Sequence, residues 1–268
     1  MLLLEILVLA LVQGITEFLP ISSSGHVVLG EALFERFGCL LPEKEKLTVN
    51  IFLHVGTLAA VLVFYRQRIW RLLGADRRVI GLLLVGSIPA AVVGLTIKLS
   101  PWGDALESGL ESPVVAGLMF PVTALMLLWA VRHEDGQTTC RKLGYRHALL
   151  IGGLQAVAIL PGISRSGATI AAGLGCGLRR DEAAAFSFLL AIPAIAGAGL
   201  LEALKLYKQG PGSIPTAGLA LGAAVSFVVG LAALAWLIRW LNQGRLHRFA
   251  WYLIPLGATV LVWQLLLK

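Results

Sequence analysis

Two short stretches hold most of the residues that could do chemistry. In QGITEFLPISSSGH, residues 13–26, Gln13 and Glu17 lie four apart and so share a helix face. Pro20 stops that helix. Ser22, Ser23 and Ser24 follow, then Gly25, which permits a tight backbone, and His26 at the start of the next helix. The second stretch, PGISRSGAT at 161–169, adds Gly162, Ser164, Arg165, Ser166, Gly167 and Thr169. Glycines let backbone N–H groups approach an anion closely, and Ser or Thr at a helix N-terminus adds donors. The planar fork of arginine matches phosphate oxygens. The sum is an anion site with a candidate nucleophile and a candidate base, and a polyphosphate ester is its natural ligand.

The elements that must position these residues are membrane helices. Of 268 residues, 57% are hydrophobic and only 14% charged, and the mean hydropathy is +0.84. A soluble fold of this size cannot bury so much apolar surface and still cover itself with polar groups. Lipid is therefore the solvent for most of the chain, which excludes a soluble enzyme, a secreted disulfide scaffold and a disordered chain. Six segments are long and apolar enough to span: 47–65, 79–99, 113–131, 183–201, 216–238 and 249–267. Two others, 1–34 and 145–178, are interrupted by the polar stretches above, which suits re-entrant hairpins. Irregular backbone at membrane depth must be buried in protein or line a watery cavity, so the two breaks are expected to face each other or share one.

The two hairpins are related. At an offset of 142, Gln13 overlies Gln155 and ISSSG overlies ISRSG. Weaker matches continue at an offset of 136. The expected fold is an all-α integral membrane protein in two inverted halves, about 1–131 and 145–267. Each half is a re-entrant hairpin followed by three spans, an odd number that turns the second copy upside down. The loops 66–78, 132–146, 179–182 and 239–248 carry 14 lysines and arginines, and the opposite side carries seven. That bias puts the first set in the cytoplasm and both termini outside. Most tryptophans, such as Trp70, Trp102, Trp129, Trp251 and Trp263, fall near span ends, as an aromatic belt requires. One basic residue is left over. Arg165 sits in the second break, opposite Glu17 beside the first, and charges at membrane depth pair or line a functional path.

The two motifs resemble the paired signatures of the undecaprenyl-diphosphate phosphatases, the BacA/UppP family, and the likeness covers nearly the whole chain. The resemblance implies an inner-membrane enzyme whose site opens to the periplasm. Such an enzyme removes one phosphate from undecaprenyl diphosphate or another prenyl diphosphate, recycles the lipid carrier of peptidoglycan synthesis and confers bacitracin resistance. The family's functional serine, histidine and arginine map onto Ser23, His26 and Arg165. Its first motif has Glu or Gln, three residues, then Glu, which here are Gln13 and Glu17. A divalent cation, Mg²⁺ or Ca²⁺, is expected near Glu17 with Gln13. The diphosphate is expected on Arg165, Ser164, Ser166, Thr169 and backbone N–H groups, with Gln13, Ser22, Ser24, Gly25, Gly162 and Gly167 lining the same place. Ser23, His26 or water is the nucleophile, and Glu17 or His26 the base.

A polyprenyl-phosphate flippase using the same site is the alternative. A phosphatidic-acid-type phosphatase is disfavoured, because Ala171 stands where its second histidine belongs. No nucleic-acid partner is expected; membrane lipid is, and the oligomeric state, a homodimer included, stays open. The N-terminus lacks a basic n-region and reads as part of the mature protein. Cys39, Cys140 and Cys176 lie far apart with no CxxC pair, so no disulfide or metal knuckle is expected. His54, seven residues into a span, reads as a hydrogen-bonded packing residue or an outer contributor to the site. Arg179, Arg180, Asp181 and Glu182 read as a solvated loop and helix start.

Overall fold

A computed structural model describes residues 2–36, 43–103, 109, 112–134, 136–209 and 214–266. Cys39 lies outside them, and Cys140 and Cys176 are free thiols. Among the described residues the chain is helical, with one isolated bridge between Thr138 and Leu178. The helices are α1 Leu2–Thr16, α2 Ser23–Arg36, α3 Glu43–Phe64, α4 Arg66–Leu72, α5 Arg77–Leu99 and α6 Pro113–Val131. They continue with α7 Tyr145–Val157, α8 Arg165–Gly175, α9 Arg180–Gln209, α10 Thr216–Asn242 and α11 His247–Leu266. Six of them (α3, α5, α6, α9, α10 and α11) are long and apolar enough to cross a membrane. They coincide with the six expected spans to within a few residues, except that α9 runs on to Gln209. Large apolar side chains such as Leu84, Val92, Leu125 and Val228 stay exposed on their outer faces, where only lipid would be a favourable neighbour.

The remaining long apolar stretches form two broken pairs, α1/α2 and α7/α8. At 15, 14, 13 and 11 residues, these helices reach roughly 17–23 Å each, short of the ~30 Å hydrocarbon layer. The first break follows from Pro20. Glu17 and Leu19 still donate their amides to the carbonyls of Gln13 and Ile15, but Pro20 has no N–H to go on with. Ser22 then takes a left-handed conformation, φ 71°, the only such non-glycine among the described residues. The strain, about 1–3 kcal/mol, is offset by what its hydroxyl does. Ser22 Oγ accepts from the amide of Gly25, capping α2, and from the amide of Gly162 across the gap. Ser164 Oγ caps α8 in the same way on Gly167.

The two breaks therefore meet. Ser166 Oγ donates to the Leu19 carbonyl, and Thr123 of α6 links Gly162 O to Ser164 N. Gly162 sits at φ 93°, and a Cβ there would press on Ala116 and Met119. Around this centre α1 packs along α10, α7 along α5, and α6 along α11, so each broken pair leans on the other half of the chain. Small residues set the approach: a Cβ at Gly152 of α7 would run into the Gly86 carbonyl of α5.

On the face carrying the basic loops, the segment 179–182 is not simply solvated. Glu182 is buried and accepts from Arg68 and from the Cys140 amide. Arg180 pairs with buried Glu134 at 2.9 Å, and Arg141 pairs with buried Asp76. The helix start at 180 carries its acidic residues in the first turn, where the dipole favours them; Arg68 and Cys140 close over Glu182, while Arg179 stays exposed and Asp181 partly so, as expected. Cys140 is enclosed here, and burial beside Glu182 pushes its thiol up. With Cys39 and Cys176 replaced by serine, Cys140 is expected to resist maleimide at pH 8 in folded protein and to react once denatured. Labelling as fast as that of Cys176 in the reciprocal variant would contradict this enclosure.

Candidate active site

Glu17 is the centre of the site. It lies just past the end of α1, only 8% exposed, and its carboxylate accepts three hydrogen bonds. Arg165 Nη2 donates to Oε1 at 2.7 Å, while Ser23 Oγ and Gln13 Nε2 donate to Oε2 at 2.7 and 3.1 Å. An ionised carboxylate, an acceptor at both oxygens, suits all three. The Gln13 contact is the one expected from an i, i+4 pair on a helix.

Ser23 and Arg165 occupy equivalent places in the two breaks. Each follows the serine that caps its helix, at the first residue of α2 and of α8. The offset of 142 superposes them in sequence, and the fold brings them to opposite oxygens of one carboxylate. The N-terminal ends of two helices thus converge here, adding positive potential to the guanidinium. Ser23 and Arg165 are half-buried, so the cluster is reached from outside at their end. Arg165 Nη1 is buried and has no hydrogen-bond partner among the described residues. A buried guanidinium N–H without an acceptor is costly, and an anion is what would satisfy it.

The other expected residues are distributed unequally. His26 follows one turn after Ser23. Its Nδ1 faces the Ser22 carbonyl at 2.7 Å and its Nε2 faces the Tyr252 hydroxyl at 2.9 Å. Among the described residues its ring bonds to neither Glu17 nor Ser23. Ser22, Ser164, Ser166 and Thr169 are buried, with their hydroxyls engaged within the fold. Thr169 Oγ1 reaches the Arg165 carbonyl and Ser187. Ser24 is exposed, with its hydroxyl 3.3 Å from that of Ser22. Gly25 and Gly167 serve contact: a Cβ at Gly25 would strike Phe120, and one at Gly167 would crowd Pro20 and Ser164.

One residue joins the cluster from α3. His54 Nδ1 lies 2.9 Å from the Asn50 carbonyl, which can only accept, so Nδ1 carries the proton. Nε2 is then the acceptor for Gln13 Nε2–H at 3.2 Å. Gln13 spends one amide hydrogen on Glu17 and the other on His54, which fixes its orientation. The sequence signal for His54 was an imidazole inside an apolar span. Tyr252, near the start of α11, carried no distinguishing signal.

The sequence offsets do not repeat this centre. Ile159 lies 142 residues after Glu17, and Leu190 lies 136 after His54. Gln155, the counterpart of Gln13 at the offset of 142, is buried, and among the described residues neither of its amide atoms has a hydrogen-bond partner.

The sequence profile described as "Bacitracin resistance protein BacA" matches residues 6–259. The chain belongs to the BacA family. Among curated relatives, the "Undecaprenyl-diphosphatase" of Rhodopirellula baltica is 49% identical over 264 residues, covering 98% of each chain. That of Rubrobacter xylanophilus is 39% identical over 96% of this chain and 97% of its own. "Undecaprenyl-diphosphatase 4" of Bacillus cereus is 38% identical over 97% of both. The BacA profile spans both breaks and five of the six long apolar helices, and ends within the sixth, α11.

Proposed function

We propose that this chain hydrolyses undecaprenyl diphosphate to undecaprenyl phosphate and inorganic phosphate. It thereby returns the carrier lipid to peptidoglycan synthesis and confers bacitracin resistance. The relatives' names supply the substrate class. The observation that carries the mechanism is one buried carboxylate, Glu17, holding Ser23 Oγ on one oxygen and Arg165 on the other.

In this mechanism the terminal phosphate lies against Arg165, whose free Nη1 and converging helix ends bind its oxygens. The turns that Ser22, Gly25, Gly162, Ser164, Ser166, Gly167 and Thr169 hold together shape that anion pocket, and Ser24 borders it. Ser23 Oγ attacks the terminal phosphorus, its proton passes to Glu17, and the bond to the bridging oxygen breaks. Undecaprenyl phosphate leaves. Water then attacks the phosphoserine. His26 takes the proton from water, Glu17 returns its proton to Ser23 Oγ, and phosphate departs. Arg165 offsets the charge that builds on the equatorial oxygens. The prenyl tail stays in lipid, because moving it into water costs about 0.8 kcal/mol per CH₂.

The donor set does not form a protein cage for a metal. Among the described residues, no three His, Cys, Asp or Glu side chains gather to hold an ion. One carboxylate and one amide oxygen do fit a hard cation that arrives on the diphosphate and keeps several waters. Glu17 and Gln13 are the residues that would hold Mg²⁺ or Ca²⁺, and such an ion would neutralise phosphate charge.

The same reading includes an inverted repeat, about 1–131 and 145–267, with the two broken pairs as re-entrant hairpins. Its support is the reciprocal packing of α1 on α10 and α7 on α5. The membrane is the bacterial inner membrane, with the site and both termini on the periplasmic side, as the uneven distribution of basic loops favours.

The test is phosphate release from undecaprenyl diphosphate by the purified full chain in detergent. Wild type is expected to turn over, EDTA to slow it and Mg²⁺ or Ca²⁺ to restore it. Turnover unchanged by excess EDTA would remove the cation and leave the hydrolase. Lipid movement in proteoliposomes without phosphate release would overturn the hydrolase in favour of a flippase.

A further inference from the structure

The contacts of His26 point to a partner outside both motifs. The Ser22 carbonyl at 2.7 Å from Nδ1 can only accept, so Nδ1 keeps its hydrogen whatever the charge of the ring. Nε2 is left as the atom that gains or loses a proton. At 2.9 Å from it stands the hydroxyl of Tyr252, 226 residues along the chain on α11. A phenol both donates and accepts. It can donate to Nε2 of the neutral ring and accept from Nε2–H of the imidazolium without moving. The rings are also constrained face to face. Tyr252 stacks on His26 at 5.8 Å and 11° between planes, and Phe120 of α6 meets His26 edge-on at 5.3 Å. The imidazole is thus fixed by its Nδ1 bond, by Phe120 and by Tyr252, and among the described residues only Tyr252 bonds to Nε2.

We propose that Tyr252 relays a proton in the hydrolysis. Its hydroxyl occupies the one lone pair of His26 Nε2, so the phenol hydrogen passes to Nε2 as the phenol oxygen takes a proton from the attacking water. The inference rests on His26 being the base for the attacking water, as in the reaction above. It places part of the machinery on α11, which contributes to neither motif. Tyr252 is 45% exposed, so its hydroxyl can be removed without opening the core.

The experiment uses the full-length protein in detergent with undecaprenyl diphosphate labelled in the terminal phosphate. Tyr252→Phe keeps the stacked ring and loses only the hydroxyl. It is expected to lower kcat about tenfold, the value of one hydrogen bond at the reacting geometry, with KM and thermal midpoint unchanged. Because the lost step follows phosphoserine formation, labelled protein at steady state is expected to rise in Tyr252→Phe and in His26→Gln. A purely structural tyrosine would not raise it. In a His26→Gln background, Tyr252→Phe is expected to cost nothing further. Wild-type kcat and labelling in Tyr252→Phe, or full additivity with His26→Gln, would overturn the inference. Unchanged turnover in His26→Gln would instead sink the role given to His26, and the role of Tyr252 with it.

Discussion

Glu17→Gln is expected to lower kcat by about 10³- to 10⁴-fold, measured as phosphate release from undecaprenyl diphosphate. The substitution preserves shape but removes two functions. The amide cannot accept the Ser23 proton, and it presents at most one oxygen where the carboxylate presents two to Arg165, Ser23 and Gln13. Ser23→Ala is expected to fall as far, because serine and carboxylate act as a unit. The double variant is expected to be no worse than the worse single one. A Glu17→Gln enzyme with more than a tenth of wild-type turnover would mean that Ser23 is not activated by this carboxylate. Additive losses in the double variant would separate the two residues into different steps.

Arg165→Lys is expected to cost about 10²- to 10³-fold in kcat/KM, the scale of one lost donor to transition-state charge. Charge is retained, but the planar fork is not. Lysine offers a point charge where Arg165 spends Nη2 on Glu17 and keeps Nη1 for an anion. Arg165→Ala is a less clean test. It leaves Glu17 buried and without its cation, and breaking a buried pair this way costs about 3–5 kcal/mol of stability. Comparing thermal midpoints with turnover separates the two effects. Arg165→Lys is expected to melt close to wild type and still fail to hydrolyse, whereas Arg165→Ala is expected to lose both. Full activity in Arg165→Lys would reduce the guanidinium to a counter-ion for Glu17.

These predictions centre on a pair that the sequence marked by exclusion. Every other lysine and arginine fell in a loop, at the end of a span or at a chain end, and Arg165 did not. Glu17 stood out in the same way, as a carboxylate beside a break in an apolar stretch. Intramembrane charge is so costly that its presence is informative without any structure. The six spans were legible for a related reason: lipid demands about 20 apolar residues from each crossing, and few other constraints write so plainly. The breaks were legible because Pro20 and the Gly- and Ser-rich stretches cannot continue a helix. The internal offset also aligned Ser23 with Arg165 before their meeting was visible.

What the sequence left open was which groups touch. A composition rich in hydroxyls and glycines reads equally well as an anion pocket or as helix caps, because the same atoms do both. The fold resolves the hydroxyls individually: Ser22 and Ser164 cap α2 and α8, Thr169 bonds Ser187, and Ser23 alone reaches Glu17. His54 and Tyr252 lie 41 and 226 residues from their partners Gln13 and His26, with no periodicity linking them. The segment at 179–182 looked solvated because charge usually is, yet loops distant in sequence close over Glu182. Solvent identity, helix length and misplaced charge are local or compositional properties, so the chain alone marked a membrane protein with a candidate anion site at two broken helices. Which oxygen of Glu17 takes the serine and which takes the arginine, and what holds the histidine, depend on packing between helices far apart in the chain. Only the tertiary structure decided those.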